Sequence, residues 1–178
     1  MQIPFTRIVL LALVVLTMAC GGSTKREGPR SENGFYHMEV TVPAGECGSV
    51  TQFLPYPGNY GFVPGTTIPS PDGKQTKQVP VMLLSAHAIK GDIVEFRPVG
   101  LIKISGDAAW RDVVIGVPLD TSLQIIHEVR TFFDLQVKCI SCVRILYEWM
   151  LNYERETELP FRGWGTELEG EQFILDYM

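Results

Sequence analysis

The most regular pattern along the chain is an alternation over residues 35–42. Tyr36, Met38, Val40 and Val42 fall on one face, and His37, Glu39 and Thr41 on the other. That period of two marks a half-buried strand, which Pro43 ends. Further β-rich runs occupy residues 81–84, 93–96, 99–104 and 113–117, punctuated by Gly91-Asp92 and Gly106-Asp107. Short strands this closely spaced predict a small barrel. Residues 55–71 are dense in proline and glycine, including Pro57-Gly58-Asn59 and Pro64-Gly65, which predicts an ordered, turn-rich loop of the kind that lines sites. Over residues 122–153 the spacing turns helical: Cys139, Val143, Leu146, Met150 and Tyr153 share a face, with Arg144 and Glu148 outside it. One or two helices are therefore expected after the strands.

The amino terminus follows a different rule. Arg7 precedes an apolar run over residues 8–16, then Thr17-Met18-Ala19-Cys20. The run is too short to span a bilayer and has the form of a secretory signal. A small residue before cysteine, with Gly21-Gly22-Ser23 after it, predicts a lipobox at which residues 1–19 are removed and Cys20 is acylated. The alternatives are a cleaved signal with an ordinary cysteine, or an uncleaved anchor. Residues 20–34 are polar and glycine-rich, without an apolar residue to dock them, and are expected to form a flexible tether reaching about 20 Å. The folded domain is then residues 35–178, exported and lipid-anchored to a bacterial membrane.

Composition narrows the partners. With 178 residues, 46% hydrophobic, the chain suits one globular core. Its 15 Lys plus Arg against 20 Asp plus Glu give a formal charge of −5, which argues against nucleic acid and against anionic membranes except through the lipid. Cys139-Ile-Ser-Cys142 has the spacing of a redox or metal pair. No second pair completes a zinc site, and Cys47 makes the remaining count odd, so a local disulfide or two buried thiols is the better expectation. His37, His87 and His127 form no ligand spacing.

One stretch is more specific. Phe53-Leu54-Pro55-Tyr56-Pro57-Gly58-Asn59-Tyr60-Gly61-Phe62-Val63-Pro64 is similar to the tyrosine-bearing loop of the family I inorganic pyrophosphatases. Arg97-Pro98-Val99-Gly100-Leu101, Gly116-Val117-Pro118, Trp149-Met150-Leu151-Asn152-Tyr153 and Gly163-Trp164 resemble later segments of that family, in the family's order. The resemblance covers residues 38–174 and is close to lipoprotein members. It implies an α+β fold: a small five-stranded OB-like β-barrel flanked by C-terminal helices, with the site at the barrel mouth. It also implies Mg²⁺ as cofactor if the protein is active, with pyrophosphate or another phosphate as ligand. Metals activate a water and neutralise the charge that builds on the leaving phosphate.

Carried over residue by residue, the site is sparse. Tyr56, Tyr60 and Tyr153 match the family's tyrosines and are the candidate catalytic residues. Glu154 stands where the family has a phosphate-binding lysine, and Thr41 where it has a glutamate. The hairpin that contributes a lysine, a glutamate and an arginine is shortened here to residues 44–55. Of the family's three-aspartate loop, Asp72 in Asp72-Gly73-Lys74 survives; aligned on the following strand, the second and third aspartates fall at Val79 and Met82. A later aspartate pair with its lysine falls at Gly106, Arg111 and Val113. Asp107 and Asp112 keep the spacing of that pair one residue late, which in a strand is the wrong face unless a bulge intervenes. Asp72, Asp107 and Asp112 are the candidate metal ligands. Three readings follow: a family member whose pyrophosphate hydrolysis is strongly reduced or lost, its fold kept as a binding module; an active Mg²⁺-dependent diphosphatase with a rearranged site; or a protein that hydrolyses or binds a different, less charged phosphate ester.

Overall fold

The computed structural model describes residues 28–31, 33–49, 54–104, 111–152 and 161–178. Strand β1 (Tyr36–Val42) is followed by β2 (Asn59–Pro69), β3 (Thr76–Leu83), β4 (Ile93–Ile104) and β5 (Val113–Pro118). Helices α1 (Phe132–Lys138) and α2 (Ile140–Asn152), strand β6 (Phe161–Gly165) and helix α3 (Glu167–Asp176) complete the order. The sheet runs β1-β2-β3-β5-β4, and β1 pairs with β4 as well, so five strands close into a barrel. Strand β6 adds to the other edge of β4. Strands β3 and β5 are parallel, and the remaining pairs are antiparallel. This is the α+β barrel-and-helix architecture expected from the resemblance.

Two cores follow from the alternation. One cluster draws Met38, Val63, Val81, Phe96 and Val114 from all five barrel strands and fills the interior, joined by Phe173 and Ile174 of α3. The other takes the opposite face of β3, β4 and β5, through Met82, Ile102 and Ile115, and lies beneath Leu135, Leu146 and Trp149 of α1 and α2. Strand β5 is covered on both faces, so all six of its residues are buried. It reads as a continuous apolar run for that reason.

The segment expected to be a turn-rich loop is mostly strand. Residues 54–58 form the loop, but β2 then runs eleven residues against β3. Proline and glycine here serve the barrel rather than break it. At Gly61 an added Cβ would collide with the Glu39 carbonyl of β1, so only glycine lets the two strands approach. Gly65, at φ 79°, lies where the β2–β3 register shifts between Val63 and Ile68, the conformation of a bulge.

The end of the expected tether is also built into the body. The His37 N–H donates to the Pro29 carbonyl at 3.0 Å, and Arg30 bridges to Tyr36. The Arg30 guanidinium lies 5.3 Å from the Tyr36 ring centroid and 3.5 Å from Glu171, while Ser31 is buried. Docking uses backbone and charged groups, so the lack of apolar residues did not prevent it. Residues 1–27, with the signal and Cys20, lie outside the described residues, and no described helix is long and apolar enough to cross a membrane.

Candidate functional site

Tyr56 precedes β2, Tyr60 lies near its start, and Trp149 of α2 packs on Tyr56. Tyr56 is buried, with its ring centroid 4.9 Å from Tyr60 and 4.7 Å from Trp149. Tyr60 pairs in register with Met82 on one side and Val42 on the other, and its ring meets Phe62 edge-on at 5.5 Å. The two tyrosines therefore come together, within an aromatic wall that belongs to the outer core. Tyr153, just beyond the described end of α2, lies outside the described residues, as does Asp107.

The tyrosine loop has a folding reason to look as it does. Asn59 is fully buried and uses both ends of its amide. Its Nδ2 donates to Ser85 Oγ at 2.6 Å and to the Ala86 carbonyl at 2.7 Å, and its Oδ1 accepts from the Ala44 and Ala88 N–H groups at 2.9 and 3.2 Å. Three chain segments are tied at one side chain. Gly58 backs onto the Leu83 carbonyl, where a Cβ would come within 2.6 Å. Sequence reasoning missed Asn59; the available signal was an asparagine where a strand begins, a residue type that strands disfavour.

Of the candidate metal ligands, Asp72 and Asp112 are described, and each is held in its own local setting. Asp72 occupies an exposed turn at the β2–β3 connection, accepting from Ser70 Oγ at 2.5 Å and from the Lys74 N–H at 3.1 Å. The Ser70 hydroxyl, then the Lys74 amide, hold its carboxyl below the usual range. Asp112 is buried ahead of β5, where it accepts the Ile104 N–H at 2.8 Å. Burial pushes its carboxyl up, opposed by that amide and by the charges of Arg162, Lys103 and Lys77. At the positions the resemblance gives to the family's carboxylates and lysine, Val79, Met82 and Val113 are buried apolar side chains within the two cores. The Thr41 hydroxyl, at the glutamate position, donates to the Tyr60 carbonyl at 3.2 Å. Among the described residues, no three His, Cys, Asp or Glu side chains come close enough to hold a metal ion.

Cations gather there instead. Register places Lys103 of β4 and Arg162 of β6 at the end of the sheet where Asp112 precedes β5, since Ile102 pairs with both Val113 and Trp164. Lys103 is engaged by Glu169 of α3. Lys77, at the start of β3, is pushed down to about 8 by burial and then by the charge of Arg111, with Asp112 opposing. This group was not legible beforehand, because its members come from four separate strand ends.

A closed five-stranded barrel with helices over one outer face defines an OB-type α+β protein. Residues 29–178 match the family described as Pyrophosphatase: Inorganic pyrophosphatase, and the chain belongs to that family. "Inorganic pyrophosphatase 1" of Pseudomonas syringae pv. tomato is 26% identical over 126 residues, 68% of this chain and 69% of the relative. The "Inorganic pyrophosphatase" of Bradyrhizobium diazoefficiens is 27% identical over 122 residues, 68% and 66% of the two chains. The crystal structure of inorganic pyrophosphatase from Ehrlichia chaffeensis superposes with a TM-score of 0.67 at 18% identity, covering 86% of this chain and 99% of that one. A Trypanosoma cruzi vacuolar soluble pyrophosphatase in complex with PPi superposes at 0.62 and 14% identity, over 80% and 66%.

Proposed function

We propose that this protein keeps the inorganic pyrophosphatase fold while hydrolysing pyrophosphate slowly or not at all, and acts as a phosphate-ligand binding module held at a bacterial membrane by an acylated Cys20. The observation that carries this reading is the burial in the two cores of Val79, Met82 and Val113, which the resemblance aligns with charged positions of the family. Pyrophosphate is a polyanion, and its hydrolysis needs fixed cations where charge builds. The family's members generally depend on Mg²⁺, but among the described residues no side chains are grouped to fit a cluster of such ions. Asp72 is committed to its own turn, and Asp112 to Ile104. Asn59 and the glycines give the family-like loop a packing role of its own, which supports this reading.

Losing one well-placed transition-state donor costs roughly 100-fold or more in rate, and such losses do not add, so a floor is the appropriate estimate. With Mg²⁺ and pyrophosphate, turnover is expected to be at least about a thousandfold below that of an intact family member. Turnover in the ordinary range, abolished by Asp72→Asn or Tyr60→Phe, would restore the enzyme reading with a rearranged site. The pyrophosphate complex of the Trypanosoma cruzi protein makes pyrophosphate the first ligand to titrate. For the anchor, cells fed a fatty-acid analogue should label the wild type and not Cys20→Ser; label and membrane attachment that both persist in the variant would refute it.

A further inference from the structure

The end of the barrel where β3 and β5 begin and β4 ends carries a second set of groups, apart from the tyrosines. Tyr60 pairs with Met82 near the end of β3, whereas Lys77 pairs with Ile68 near its start. The two sets also lie on opposite faces of the sheet. Met82, Ile102, Ile104 and Val113 belong to the outer core beside Tyr56, while Val79, Val81, Leu101 and Val114 line the barrel interior. Alternation therefore turns Lys77, Lys103 and Asp112 to the interior face at this end. Their strands are neighbours, since Val114 of β5 pairs with Val81 of β3 and Val113 with Ile102 of β4. Asp112 fixes the junction by accepting the Ile104 N–H at 2.8 Å. Arg111 precedes Asp112, and Arg162 of β6 stands next to Gly163, the partner of Lys103.

Charge is not balanced here. Four of the chain's 15 lysines and arginines meet at this end, although the chain as a whole has a formal charge of −5. Glu169 takes one of the four by pairing with Lys103, and Asp112 offsets a second. Two positive charges remain in excess among these six groups. Lys77 is half-buried with the like charge of Arg111 acting on it, a repulsion that a bound anion would relieve. Arg111 and Arg162 are exposed, so a solute can reach them. Their planar guanidinium groups suit phosphate oxygens, which they bind through paired N–H donors.

We propose that the ligand of the phosphate-binding reading, on which this inference rests, is free phosphate or pyrophosphate held directly by Lys77, Lys103, Arg111 and Arg162, with no metal ion between. Protein cations supply here the charge that a metal would otherwise bring. The net negative charge of the chain repels an anionic bilayer, so the ligand is a small oxyanion and not a lipid head group.

Calorimetric titration of the full chain with pyrophosphate, and separately with inorganic phosphate, tests this in the presence of EDTA. Binding should persist in EDTA and weaken at least about tenfold in both Arg111→Gln and Arg162→Gln, the factor that one hydrogen bond to a charged group contributes. Lys90→Gln makes the same charge change at an exposed position before β4, and should leave the affinity as it is. Both arginines are exposed, so the variants should melt with the wild type. If one of them unfolds, the other and the EDTA titration of the wild type decide. Binding that requires Mg²⁺, or that both arginine variants leave intact, would overturn this site while phosphate binding by the module stands. Absence of any binding would overturn both. Displacement of pyrophosphate by vesicles containing phosphatidylglycerol, but not by phosphatidylcholine alone, would assign the cations to a lipid head group and overturn the choice of ligand.

Discussion

Lys77 is a half-buried cation with another cation, Arg111, beside it and the buried Asp112 within its field. Its ammonium is pushed down to about 8 from the ordinary lysine value. The folded state therefore binds this proton less tightly than the unfolded chain does. Stability from this group is present above the unfolded value, about 10.4, and is lost as pH falls through about 8. Lys77→Met removes the penalty, so it should gain roughly 1 kcal/mol on the wild type at pH 7, after allowance for solvent screening. That gain should shrink towards zero near pH 10, as urea denaturation at the two pH values would report; a difference that does not change with pH would contradict this reading. Asp112 has the opposite slope: its raised carboxyl value means stability falls as pH climbs above the ordinary carboxylate range. Sequence reading could number these residues but not place them. Asp112 was legible as a candidate ligand only through its spacing from Asp107, whereas what defines it is the Ile104 amide eight residues away.

Among the elements, β2 shows where local punctuation misleads. Proline and glycine density ordinarily signals loop, because these residues weaken strands. In β2 the glycines meet demands set by neighbouring strands. Gly61→Ala should cost at least about 2 kcal/mol, since the Cβ meets the Glu39 backbone and neither strand can withdraw without opening the barrel. A urea midpoint close to that of the wild type would show that β1 and β2 are less tightly apposed. Helix α2 behaved as its spacing predicted: Val143, Leu146 and Met150 are buried, and Arg144 and Glu148 are exposed. A helix has its own period whatever it packs against. Trp149 joins the buried set because it faces Tyr56, a contact with no local signature.

At the scale of the whole molecule, Val79, Met82 and Val113 are built into the cores, where a charged side chain is not easily placed. Met82→Asp would introduce a carboxylate at a fully buried position. It is expected to cost roughly 3 kcal/mol or more in stability, and to recover little hydrolysis. A folded Met82→Asp protein with substantially increased Mg²⁺-dependent turnover would mean that this part of the barrel is more open than its packing indicates. The wild type offers a simpler check. An ion that binds only the native state raises its melting temperature. Millimolar Mg²⁺ should leave the Tm unchanged, and a concentration-dependent rise would reveal a metal site.

The sequence by itself determined the class of the fold, the strand and helix faces and the family, because alternation, helical spacing and a long motif are local properties that survive without knowledge of contacts. Through the resemblance it also raised the expectation that several of the family's charged positions are uncharged here, since a motif can be compared position by position along a chain. Tertiary structure alone decided that Val79, Met82 and Val113 are core, that Asp72 and Asp112 are each tied to separate backbone amides, and that Lys77, Lys103, Arg111 and Arg162 gather at one end of the sheet. Those outcomes depend on strand register and barrel closure. Both are set by the joint burial of distant residues, which no single stretch of the chain encodes.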